Sequence, residues 1–115
     1  MREIFQAISE LEAKRPEIHR SNVWHVEKIR HEEAGELLEV TSNEPTPEEL
    51  AEMKKEAADI ILNICSIMVN CGVLAEEFEL AVVDKALEIG QRPPEAFQRG
   101  IRMQPQMPTT IYSDL

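Results

Sequence analysis

Apolar residues recur at the three- and four-residue spacing of an amphipathic helix in four stretches of the chain, and no stretch alternates convincingly like a β-strand. Segments rich in proline and glycine separate these stretches. The third stretch has the clearest start, because Thr46 and Glu49 form the T-x-x-E pattern of a capping box. The pattern predicts an all-α fold like a four-helix bundle, with helices at about residues 2–14, 22–40, 47–70 and 75–89.

The length of 115 residues suits one domain. All four helical patterns fall within residues 1–92, which we predict to form that domain. Residues 93–115 contain Pro105 and Pro108 and lack a long periodic pattern, so we predict an extended, proline-containing C-terminal tail.

The charge balance limits the partners that the chain can have. Acidic residues number 22 against 12 basic ones, for a formal net charge of −10, which disfavours duplex nucleic acid and anionic membranes as partners. An acidic protein can still bind an anionic nucleotide when divalent cations lie between them. No run of about 18 apolar residues is present, the N-terminus is charged, and the two cysteines form no C-x-x-C motif. We therefore expect a reduced, cytoplasmic protein with no membrane span.

Two glutamates of the second predicted helix fall where apolar residues are expected. At 100° per residue, Glu33 and Glu36 lie within about 40° of Ile29, whereas Glu27 points nearly opposite. Two carboxylates in an apolar stripe are costly to bury unless cations or hydrogen bonds compensate them. The remaining members of that stripe are Val26, Leu37 and Val40.

The third predicted helix carries a line of polar side chains beside its apolar stripe. The spacing of these residues keeps them in register along one edge, and Asn63 lies within the otherwise apolar run IILNICSIMV. The line consists of Glu52, Glu56, Asp59, Asn63 and Asn70.

The two helices therefore each carry an i,i+3 acidic pair, Glu33/Glu36 and Glu56/Asp59. A short loop makes the helices antiparallel neighbours, so the four carboxylates can converge. A ligand set made only of oxygens favours Mg²⁺, with Mn²⁺ as the other candidate. The alternative is that these are exposed charges at the rim of an ordinary helical bundle.

This arrangement resembles the MazG-like, all-α nucleotide pyrophosphohydrolase superfamily, whose signature is E-x-x-E followed at a distance by E-x-x-D. HEEAGELLEV contains the first motif, KKEAADIILNI contains the second, and the resemblance covers about residues 22–92. The resemblance implies hydrolysis of a nucleoside triphosphate to a nucleoside monophosphate and pyrophosphate. It makes Glu33, Glu36, Glu56 and Asp59 the metal ligands, with Glu33 or Glu36 as the catalytic base.

The resemblance also points to residues that would bind the substrate. Family members often carry a lysine on the last helix and an arginine after it, and Lys85 and Arg92 fit those places, although the asparagine expected between them is absent. Asn63 is a further candidate. Trp24 is a candidate to stack on the base, with a core or interface anchor as the alternative. His25 and His31 are interpreted as surface or secondary residues.

Two other functions stay open from the sequence. One is hydrolysis of phosphoribosyl-ATP, because EAAD also resembles that related enzyme. The other is a non-catalytic helical module whose acidic ridge binds basic partners. Whatever the function, we expect a homodimer or a dimer of dimers, since the third and fourth helices show more apolar surface than one chain can cover. That surface includes Ile61, Cys65, Leu80, Val83 and Leu87.

Overall fold

A computed structural model of the protein describes residues 1–97, and these residues are built from helices and the segments that connect them. The predicted all-α class is therefore confirmed for this part of the chain. Within it, no helix is both long enough and apolar enough to cross a membrane. The α-helices are α1 (Arg2–Lys14), α2 (Asn22–Lys28), α3 (Ala34–Val40), α4 (Pro47–Asn70), α5 (Ala75–Gly90) and α6 (Pro94–Phe97); a 3-10 helix covers Pro16–Ile18 and a π-helical turn covers Ile29–Glu33.

Local sequence accounts for both ends of α4. At its start, the Thr46 hydroxyl accepts a hydrogen bond from the Glu49 backbone N–H at 3.1 Å, and the Glu49 carboxylate accepts one from the Thr46 N–H at 2.9 Å. This is the predicted capping box. After the helix ends, Gly72 has a φ of 75°. A side chain disfavours that conformation, so glycine allows the chain to turn towards α5.

The chain divides into two compact units within α5, one covering Met1–Glu79 and one beginning at Leu80. In the first unit, α4 packs against α1, α2 and α3. Its buried apolar core consists of Phe5, Ile8, Cys65 and Ala75, and partly buried neighbours surround it. Cys65 on α4 is only 1% exposed. The longest helix of the first unit is thus the element on which the others are arranged.

The predicted tail begins with a helix that we did not expect. α6 covers Pro94–Phe97, with Pro94 as its first residue, a position where proline is favourable because that N–H needs no helical partner. The prediction of an extended segment is therefore wrong for these four residues. The tail from residue 98 onwards lies outside the described residues, and the domain boundary after Arg92 stays a prediction.

Candidate functional site

Polar contacts between α2 and α4 bring the two motif-bearing segments together. α3 and α4 are joined by the loop of residues 41–46, and the segment formed by α2, the π turn and α3 packs against α4. Asn70 Nδ2 donates a hydrogen bond to Asn22 Oδ1 at 3.0 Å. Three residues later on α2 and seven residues earlier on α4, His25 Nδ1 and Asn63 Oδ1 are 2.8 Å apart. Because residues late in α4 meet residues early in α2, the two segments run antiparallel, as the sequence predicted.

The π turn at Ile29–Glu33 changes the phase of the second predicted helix. It takes one residue more than an α-helical turn and so rotates α2 by about 100° relative to a uniform helix. Val26 was placed in the apolar stripe on the assumption of uniform phase, but it is 51% exposed, so that prediction is wrong. Glu33, the last residue of the turn, is buried.

The structure brings together the four carboxylates that the sequence singled out. One carboxylate oxygen of each of Glu33, Glu36, Glu56 and Asp59 lies within 4.8 Å of the others. Glu33 is buried, Glu56 and Asp59 are partly buried, and Glu36 is exposed. The acidic cluster formed by these four residues therefore has a buried side and a side open to solvent. Its role as a metal site stays a prediction.

Burial and negative neighbours raise the pKa of two members of the acidic cluster, Glu33 and Glu56. Burial raises the pKa of Glu33, a hydrogen bond with Glu36 and the charge of Asp59 raise it further, and Lys28, 3.7 Å away, opposes these effects. The pKa of Glu56 is also raised, first by burial and then by the charges of Glu36 and Asp59. The cluster thus holds more negative charge than its surroundings compensate.

A divalent cation would compensate that charge. Glu33 Oε1 is buried and has no hydrogen-bond partner among the described residues. An unpaired buried carboxylate oxygen is costly, and a cation held between several carboxylates would remove the cost. The donor set contains only oxygens, which suits Mg²⁺ or Mn²⁺. The residues present therefore fit the predicted metal.

Asn63 is held by protein groups on both sides of its amide. Its Nδ2 donates to the backbone carbonyl of Asp59 at 2.8 Å, and its Oδ1 faces His25 Nδ1. His25 is 7% exposed, so its interpretation as a surface or secondary residue is wrong with respect to burial. A signal was present in the sequence, since His25 precedes Ile29 by four residues and shares its helical face. His31 is exposed and pairs with Glu27 at 2.9 Å, as expected for a surface residue.

Trp24 lies beside His25 at the start of α2. Its ring meets the His25 ring edge-on, with centroids 5.2 Å apart, and the Arg20 guanidinium lies 5.6 Å from the Trp24 ring centroid. Trp24 is 41% exposed, which leaves much of the ring open to solvent. Stacking of this ring on a base stays a prediction.

Lys85 and Arg92 lie in the second compact unit. Both side chains are exposed and pair with Glu88, Lys85 at 3.2 Å and Arg92 at 3.5 Å. These cations lower the pKa of the Glu88 carboxyl. Val82, three residues before Lys85 on the same helix, is also exposed. Contact of Lys85 and Arg92 with phosphate stays a prediction.

The acidic cluster should make the stability of the metal-free protein depend on pH. Because the pKa values of Glu33 and Glu56 are raised above 4.5 in the folded chain, the folded state binds protons more tightly than the unfolded state. Their contribution to stability is therefore full at low pH and is lost as pH rises through the raised values. Urea denaturation in a chelator, at about pH 5 and about pH 8, should show a smaller fall for Glu33→Gln than for the wild type. Equal falls would contradict the raised pKa of Glu33.

Compared with known proteins, the chain matches no family model, no curated protein and no solved structure.

Proposed function

We propose that the protein is a Mg²⁺-dependent nucleoside triphosphate pyrophosphohydrolase. The observation that carries this proposal is the convergence of the acidic pairs of both sequence motifs to within 4.8 Å. In the reaction, a water oxygen bonds to the α-phosphorus, the bond to the oxygen bridging the α- and β-phosphates breaks, and pyrophosphate leaves. The products are a nucleoside monophosphate and pyrophosphate.

The acidic cluster would hold the cation through Glu33, Glu36, Glu56 and Asp59. When bound, the cation neutralises phosphate charge and makes an associated water more acidic. The protein itself supplies a rigid arrangement, because Asp59 and Glu56 lie one turn apart on α4 and Glu33 is fixed by burial. A substrate with about four negative charges cannot approach this cluster without such compensation.

Glu33 or Glu36 would accept the proton of the attacking water. Glu33 is the buried member of the cluster, so its carboxylate is held in a fixed position from which it could orient the water. Glu36 is the exposed member of the cluster and is therefore the more accessible to an incoming water. The two residues are three apart in the chain and their carboxylates belong to the same cluster, so they would act together.

Lys85 and Arg92 are proposed to bind the outer phosphates. Each pairs with Glu88 in the second compact unit, so binding would replace the Glu88 carboxylate with a phosphate group as the anionic partner. Both are exposed, and such exchange between solvated partners costs little.

A nucleotide panel assayed for pyrophosphate release tests the proposal. We expect release from at least one nucleoside triphosphate in the presence of Mg²⁺ and none in a chelator. Release of pyrophosphate from phosphoribosyl-ATP alone would show that the protein is a phosphoribosyl-ATP pyrophosphatase instead. No release from any member of the panel, with Mg²⁺ or Mn²⁺, would leave the acidic cluster as a binding surface and overturn the proposal.

We also propose that the chain assembles as a homodimer or a dimer of dimers. Of the residues predicted to form the apolar surface of α4 and α5, Ile61, Leu80, Val83 and Leu87 are exposed in the single chain, and Leu62 is exposed as well. Cys65 is buried in the core, so its assignment to this surface was wrong. Soluble monomers avoid such surfaces, and a symmetric contact would bury them. Light scattering at micromolar concentration should give at least twice the chain mass of 13.1 kDa. A mass equal to that of one chain would refute assembly.

A further inference from the structure

His25 carries a buried ring nitrogen that the described residues leave without a hydrogen-bond partner. The residue is 7% exposed, and its Nε2 is shielded from solvent. Within residues 1–97, Glu33 Oε1 is the only other buried side-chain nitrogen or oxygen without a hydrogen-bond partner. Buried polar groups in native proteins are nearly always paired, and an unpaired one lowers stability. A buried polar atom that residues 1–97 leave unpaired at such a cost is a candidate to bind a ligand.

The orientation of Asn63 assigns the proton on the His25 ring. Asn63 Nδ2 donates to the carbonyl of Asp59, so Oδ1 is the atom that faces His25 Nδ1. An oxygen acceptor requires a donor, and Nδ1 therefore carries the proton. In the neutral ring, Nε2 is then a bare acceptor. It suits an N–H or O–H donor and repels an acceptor-only group such as a phosphate oxygen.

His25 and the acidic cluster lie along the same side of their helices. In a uniform α-helix, residues eight apart differ by about 80° in direction, but the π turn between His25 and Glu33 reduces this to about 20°. His25 and Glu33 are both buried. On α4, His25 faces Asn63 and Glu33 faces Asp59, and these two residues are four apart, or about one turn. A ligand whose phosphates lie at the cluster would thus have its nucleoside part within reach of this region.

We propose that His25 Nε2 accepts a hydrogen bond from an N–H or O–H group of the nucleoside part of the substrate, which makes His25 a specificity-determining residue. This inference rests on the proposed function. Two groups supply such a donor, a sugar hydroxyl and an amino or imino group of the base. The Trp24 ring, whose centroid lies 5.2 Å from that of the His25 ring, is 41% exposed, so the surface next to the His25 side chain is open to solvent.

Two substitutions separate the nitrogens of the His25 ring. In His25→Asn, the side-chain amide lies near the place of Nδ1, so it keeps a donor towards Asn63 but has no atom at Nε2. In His25→Gln, the longer amide reaches the place of Nε2 and can present an acceptor there. Similar melting temperatures for wild type and both variants would show that the hydrogen bond between the helices is not what changes activity.

The assay compares kcat/KM for nucleotides that differ by one donor. The panel contains ATP, GTP, CTP and UTP, their 2′-deoxy and 3′-deoxy forms, ITP and the triphosphate of purine riboside. For the wild type, removing the donor that His25 receives should lower kcat/KM at least about tenfold. In His25→Asn the same change of substrate should have no effect, and His25→Gln should retain part of the preference. The deoxy series identifies a sugar hydroxyl, and the base analogues identify a base donor.

Inorganic triphosphate, used as a competitive inhibitor, serves as the matched ligand without a nucleoside. It should inhibit wild type and His25→Asn equally, because it has no group for His25. Suppose that the wild type hydrolyses nucleotides. If His25→Asn then keeps every ratio of kcat/KM between substrates, or lowers all kcat/KM values and triphosphate binding alike, the inference is overturned and the proposed function stands. If the wild type hydrolyses no nucleotide, both are overturned.

Discussion

Replacing Glu36 with glutamine should lower the turnover of nucleotides at least about a hundredfold, comparable with the loss of a positioned acid–base group. Glutamine keeps the shape of the side chain and removes either a charged ligand or the proton acceptor. Glu36 is the exposed member of the acidic cluster, so the substitution should disturb folding little. Initial rates of pyrophosphate release at saturating Mg²⁺ and nucleotide measure the effect.

Glu27→Gln is the matched control. Glu27 lies on the same helical segment, is exposed, and pairs with His31 and Arg30 at the surface rather than with the cluster. Exposed ion pairs contribute little to stability, so this variant should keep nearly full activity. Equal turnover in the two variants would show that the catalytic site lies elsewhere.

Adding Mg²⁺ to the metal-free protein should raise its melting temperature on the order of 10 °C. A cation that binds only the folded state at about a hundred times its dissociation constant stabilises that state by about 2.7 kcal/mol. In a domain of this size, each kcal/mol shifts the melting temperature by several degrees. The structural reason is the unpaired Glu33 oxygen and the mutual repulsion of four carboxylates, which the cation would remove.

The melting experiment needs a control for general screening of charge. K⁺ at matched ionic strength screens surface charges to the same extent but does not occupy a site for a divalent cation. It should therefore produce a much smaller shift in melting temperature. Asp59→Asn, which removes one carboxylate charge from the cluster, should reduce the Mg²⁺ response, whereas Glu27→Gln should preserve it. An unchanged melting temperature across a Mg²⁺ titration would contradict a preformed cation site.

The line of polar residues on α4 was predictable because that helix is uniform from Pro47 to Asn70. A constant 100° per residue then relates sequence spacing directly to direction, and Glu56, Asp59 and Asn63 do face the α2–α3 segment. The second helical segment was less predictable. Its π turn is not encoded by any single residue, so the phase assumed for Val26 was wrong.

The contact between His25 and Asn63 shows a second limit of sequence patterns. Each residue could be placed on a helical face, but their contact depends on how far α2 slides along α4. That offset is set by packing across many residues and by the loop of residues 41–46 rather than by local preference. Histidine and asparagine are common at surfaces, so only their observed pairing distinguishes them from solvated side chains.

The sequence by itself determined the helical class, the boundaries of the long helices and the two acidic pairs, because these depend on local periodicity, capping and breakers. Tertiary structure decided which carboxylate is buried, that a π turn aligns His25 with Glu33, and that Asn63 is held by protein groups. Burial and hydrogen bonding between helices arise from the relative position of two segments. A pattern along one segment defines a face, and only packing determines what that face meets.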